Sequence, residues 1–209
     1  ETRAVRSLKQ LVSAEYVWKG SDSDRNGVQE FWTLDVAGFY GLRDGQDCPL
    51  HYISPELAAA DVAPAVNYPG LPPYDPRTGY HVRAMITDED GAPYVDPSLP
   101  PVAASPARGR KGTSCKGYGF CAFLDGRRDG APVQFIVNRE GVVYRSDATD
   151  RAPVTTWPSA WPTSPWTPAR MPRSGWTSSK TPSSSPAGRI TCPTSGCRGR
   201  RGSPITCFR

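Results

Sequence analysis

Apolar side chains recur at three- and four-residue steps at the start of the chain: Val5, Leu8, Leu11 with Val12, and Tyr16. That spacing puts them on one face of a helix and predicts an amphipathic helix over residues 2–18. Arg6, Lys9, Gln10 and Glu15 fill the other face. Lys19-Gly20 predicts the stop, because Gly readily takes the left-handed conformation just past a helix. A polar loop, Ser21 to Gly27, follows. Residues 30–40 are then dense in Phe31, Trp32, Leu34, Val36, Phe39 and Tyr40, and should cover the helix or an edge of the core. Ser54-Pro55-Glu56 combines a capping side chain, Pro at the first helical position and an early acid, which starts a short helix ended by Pro64.

Downstream the period changes. Tyr80, Val82, Ala84 and Ile86 alternate with other residues and predict a strand, with His81 an edge or surface residue on it. Glu89-Asp90-Gly91 turns the chain, and 96–116 reads as a mobile Pro/Ala/Ser/Arg loop. Three strands follow in quick order at 118–124, 133–137 and 142–145. The last two are joined by the loop Asn138-Arg139-Glu140-Gly141, with Gly at its close. The predicted class is α+β: an N-terminal amphipathic helix packed on a small antiparallel sheet.

Composition divides the chain. Residues 1–151 hold all 20 Asp and Glu and 17 of the 25 Lys and Arg, a net charge of −3. Residues 152–209 hold no carboxylate and 8 basic groups, a net charge of +8. Pro, Ser and Thr make up 29 of these last 58 residues. So polar a segment buries too little apolar surface to offset an ordering entropy of roughly 1–2 kcal/mol per residue. The division is therefore a folded domain over 1–150 and a disordered basic tail over 151–209. Two origins fit the tail: a genuine basic arm, or an out-of-frame translation of a GC-rich gene. The basic pI of about 9.0 belongs to the tail. It implies no nucleic-acid partner for the mildly acidic folded part.

Chemistry-bearing patterns are few. Gly-x-Ser-x-Gly, His-Glu-x-x-His and phosphate-cradling Gly loops are absent from the sequence. This points away from an enzyme, and no small-molecule substrate is evident. Cys115 and Cys121 could bridge, leaving Cys48 single; alternatively Cys121 is a small buried hydrophobe. The exception is Asp22-Ser23-Asp24-Arg25-Asn26-Gly27-Val28-Gln29-Glu30, with acids or amides at alternate positions and then a Gly. This is the front half of a calcium loop. Asp22, Asp24 and Asn26 stand at its first, third and fifth positions, the Val28 carbonyl at the seventh and Glu30 at the ninth. The twelfth position is Thr33 in place of the bidentate Glu, with Asp35 two residues on as a substitute. The alternative is a solvated turn whose Asp, Asn and Gly are explained by local side-chain bonding.

The helix pattern Ala4-x-x-x-Leu8-x-x-Leu11-x-x-Ala14-x-Tyr16, the acidic loop and Phe31-Trp32 resemble the region after the membrane helix of bacterial pseudopilin-like proteins. Gly79 to Arg83, Gly119-Phe120-Cys121-Ala122 and the hairpin Phe135 to Tyr144 (Phe-x-Val-Asn-x-x-Gly-x-Val-Tyr) resemble a family of exported bacterial proteins of unknown function. The resemblance implies an extracytoplasmic, non-enzymatic assembly domain with envelope or self-assembly partners. Membrane contact would come only through an apolar helix preceding Glu1. It supplies no ligands for the acidic loop.

Overall fold

The computed structural model describes residues 2–75, 79–124, 133–146, 155–157 and 167–168. They belong to one compact unit, Glu1–Pro172, while the second unit, Arg173–Arg209, lies outside the described residues. What the sequence predicts for 158–166 and 169–209 likewise falls outside them.

The order is α1 (Thr2–Ser21), β1 (Phe31–Trp32), α2 (Gly38–Gly41), α3 (Pro55–Ala59), β2 (His81–Ala84), β3 (Thr113–Ser114), β4 (Gly119–Phe123), β5 (Gln134–Asn138), β6 (Val143–Ser146) and β7 (Thr167–Pro168). The class is α+β. β2-β4-β5-β6-β7 form one antiparallel sheet, and β1 pairs with β3 in a second, two-stranded one. Alternation along the strands divides the core. Phe120, Ala122, Phe135 and Val137 face α1 with Leu8, Leu11 and Trp18. Cys121 and Ile136 point the other way, into a smaller cluster with Met85, Tyr94 and Trp157.

α1 runs further than its sequence predicts. Gly20 stays helical, and Asp22 takes the left-handed conformation (φ 43°) that ends the helix. Two face assignments are reversed. Glu15 is fully buried, whereas Tyr16 is 53% exposed and reaches across to donate its hydroxyl to the Arg139 carbonyl at 2.9 Å. The geometry explains this: Leu8, Leu11, Glu15 and Trp18 fall at the three- and four-residue steps of one stripe, and Tyr16 lies a residue further round.

α3 forms as the sequence predicts, with the Ser54 hydroxyl accepting the Leu57 N–H at 3.3 Å. The loop over 96–116, which its composition predicts to be mobile, is packed into the fold. Val102, Ala104 and Ala107 are buried, and Thr113–Ser114 pairs with Phe31–Trp32. The predicted β5–β6 hairpin forms with both strands shifted by one residue: Asn138 ends β5, Val143 begins β6 opposite Val137, and Gly141 takes φ 71°. His81 lies on the edge strand β2 but is buried, not at the surface: it stacks between Tyr74 and Phe123, with Nδ1 against the Tyr74 hydroxyl. Segment 60–62 lies along β2. Val82 N–H bonds the Ala60 carbonyl at 2.9 Å, and the Val82 carbonyl accepts the Val62 N–H at 3.1 Å. No disulfide joins Cys115 and Cys121; Cys121 is buried in β4 and Cys115 exposed.

Residues 155–157, beyond Asp150, join the fold. Ile86 N–H bonds the Thr155 carbonyl and Trp157 N–H bonds the Thr87 carbonyl. This docks the Trp157 indole, 7% exposed, edge-on to Tyr144. Trp157, which composition places in the tail, is thus a core residue. No helix among the described residues is long and apolar enough to cross a membrane.

Candidate functional site

The acidic loop is held at both ends. Behind it, Ser23 is buried and its hydroxyl meets Tyr52 Oη at 2.6 Å. Ahead of it, Phe31–Trp32 enters the small sheet, and the Trp32 N–H donates to Glu15 Oε2 of α1 at 2.9 Å. Between these anchors, Arg25 and Gly27 both take positive φ, 57° and 82°, and curl the backbone. Gly27 suits this conformation because it has no Cβ to strain.

The curl turns side chains inward. Asp22 Oδ2 accepts the Gly27 N–H at 3.1 Å, and Asn26 Oδ1 accepts the Val28 N–H at 2.8 Å. The Asn26 amide nitrogen donates to Glu30 Oε1 at 2.6 Å and to Asp24 Oδ2 at 3.0 Å. Asp24 Oδ2 also accepts the Ala103 N–H at 3.1 Å, tying the loop to the 96–112 segment. Asp24 and Glu30 are each 2% exposed, although both are acids.

Asp24, Asn26 and Glu30 are therefore linked through the Asn26 amide, while Asp22 is engaged separately, by the Gly27 N–H of the same loop. The Val28 N–H is engaged by Asn26 Oδ1. Asp35 does not join: its carboxylate accepts from Gly38 N, Ala65 N, Tyr68 Oη and Trp32 Nε1. That excludes it as the replacement for the missing twelfth-position acid.

The electrostatics are those of crowded, desolvated acids. Burial raises the pKa of Asp24, and the Asp22 charge adds to the rise. Burial likewise raises Glu30, helped by the charges of Asp24 and Asp22. Two oxygens of the loop, Asp22 Oδ1 and Glu30 Oε2, are buried with no hydrogen-bond partner among the described residues. The Thr113 hydroxyl eases the Glu30 charge without reaching hydrogen-bond geometry to Oε2. A buried acceptor left unpaired costs about 1–3 kcal/mol, more when charged. As the loop stands, no group of three or more His, Cys, Asp or Glu among the described residues is gathered tightly enough to hold a metal ion. The Asn26 amide fills the middle instead.

Sequence reasoning missed a second buried acid pair. Asp61 Oδ2 accepts the N–H groups of Val36 and Ala37 at 2.7 and 2.8 Å, and Oδ1 accepts Ala63 N–H at 3.0 Å. With Asp35 it fastens the chain around α2. Nothing in local spacing announces this, since Asp61 bonds residues 24 and 25 positions away.

No family model matches the chain, nor does any curated protein or solved structure.

Proposed function

We propose that the folded unit is a non-catalytic, extracytoplasmic assembly domain of pseudopilin-like character. One observation supports this most: the buried acids act as structural fasteners. Glu15 holds the Trp32 N–H, and Asp35 and Asp61 hold main-chain N–H groups around α2. Acids committed in this way brace a helix on a sheet; they do not converge on a cleft as general acid and base groups do. Tyr16 and Val17, both about half exposed on α1, offer apolar surface for contact with other copies or envelope proteins.

The test is the gene upstream of the Glu1 codon, read together with fractionation of the source cell. A prepilin-type apolar helix joined directly to Glu1, and recovery with the envelope, are expected. A cytoplasmic start and cytosolic recovery would overturn the reading. The +8 charge of residues 152–209 favours a second reading, a small binding module whose tail contacts nucleic acid or anionic surfaces. Salt-dependent DNA retention that is lost on deleting residues 169–209 would select it. The deletion begins there because Trp157 and Thr167–Pro168 belong to the sheet layer.

A further inference from the structure

We propose that the 22–30 loop is a calcium-type divalent-cation site, liganded by Asp22, Asp24, Glu30, the Asn26 side-chain carbonyl and the Val28 main-chain carbonyl, with the Asn26 amide group holding the ion's place in the cation-free form. The proposal concerns the ion and does not depend on what the domain assembles with.

Distances carry the first part. Asn26 Nδ2 stands 2.6 Å from Glu30 Oε1 and 3.0 Å from Asp24 Oδ2. Calcium lies about 2.3–2.6 Å from its oxygens. A partially positive NH₂ group therefore bridges the same two carboxylates that an ion would share, and an entering ion would displace it. Unspent valence carries the second part. Glu30 is 2% exposed, and its Oε1 already faces the amide in the loop's centre. Its Oε2 has no hydrogen-bond partner among the described residues, and the same holds for the buried Asp22 Oδ1. Asn26 Oδ1, which accepts one N–H from Val28, keeps a second lone pair for a metal.

The donor set fixes the class of ion. Every ligand is a hard oxygen, which suits calcium or magnesium and not zinc or copper. A curled loop without rigid octahedral geometry favours the larger ion. Thr33 stands where the bidentate Glu of a complete calcium loop belongs, so the affinity falls in the weak range of about 10⁻⁴–10⁻³ M typical of extracellular modules.

The test is calorimetric titration of the full chain, stripped with EGTA and dialysed, using calcium chloride and then magnesium chloride. A saturable 1:1 heat with calcium, weaker with magnesium, is expected. Glu30→Gln should weaken it about tenfold or more, whereas Asp90→Asn, in a separate acidic turn, should leave it unchanged. Asn26→Asp removes the placeholder and adds a ligand charge, and should tighten binding about tenfold. This variant moves affinity in the opposite direction to Glu30→Gln, so the proposal stays testable if Glu30→Gln fails to fold. No saturable heat at millimolar calcium overturns the site. So does binding that ignores Glu30→Gln in a folded variant, or that is indifferent to Asn26→Asp.

Discussion

Gly41 and Tyr68 touch so closely that a Cβ on Gly41 would stand 2.3 Å from the Tyr68 Cβ. The obstructing atom is next to the backbone, so no rotamer change relieves it. Gly41→Ala should therefore destabilise the domain by about 2–3 kcal/mol, although Ala is the better helix former by roughly 1 kcal/mol. The shift of the urea midpoint measures it. An unchanged or raised midpoint would show that the α2 layer yields.

Tyr68 also donates its hydroxyl to Asp35 Oδ2 at 2.7 Å, in the interior. Tyr68→Phe keeps the ring and removes the donor. The Asp35 oxygen is left with the Ala65 N–H alone. The expected cost is about 1.5–3 kcal/mol, the range for a bond to a charged group. Denaturation at neutral pH reads it. A loss under half a kcal/mol would mean the hydroxyl is dispensable.

Acid should stabilise this fold before it destroys it. Asp61 is pushed up to about 6 from an ordinary 3.8, chiefly by burial and then by the Asp35 charge, against the pull of its N–H donors. Between those two values the folded chain keeps a proton that the unfolded chain has lost. Stability therefore falls as pH rises through that window and levels off above about pH 7, a decline on the order of 2–3 kcal/mol. Glu15 and Asp35, also raised by burial, act in the same direction. Asp44 and Asp96, held low mainly by hydrogen bonds, work oppositely but only below about pH 4. Urea midpoints measured across roughly pH 4.5–7 check the sign; a rise with pH in that range contradicts it.

Trp157 completes the smaller core cluster with Met85, Tyr94, Cys121 and Ile136. Trp157→Ala should cost about 3 kcal/mol, toward the low end for a large aromatic because the cluster is small. Thermal unfolding of the full chain provides the measurement. A negligible shift would place the end of the functional core before this residue.

What could be read from sequence follows from how local each cause is. The α1 helix, the Ser54 cap and the β5–β6 hairpin are written in residues a few positions apart, and all three form, with their ends shifted by one to three residues. Glu15 was misplaced because an acid at a core position of the stripe looks like surface. Its partner, the Trp32 N–H, is 17 residues away. The pairing of Thr113–Ser114 with Phe31–Trp32 and the Asp24–Ala103 bond are longer-range still, and the composition of 96–116 masked both. The nearness of Asp24, Asn26 and Glu30 was legible because their spacing is short. The loop's central amide, bridging two carboxylates, was not, because rotamers are absent from spacing.

The segment over β2 bears on how copies of this domain can meet. An edge strand with open N–H and C=O groups invites another chain to extend the sheet. On β2 the central Val82 has both groups taken, by Ala60 and Val62. Strand addition is thus blocked at the middle of that edge by the protein's own chain. A strand arriving at β2 would have to displace residues 60–62 before it could extend the sheet there.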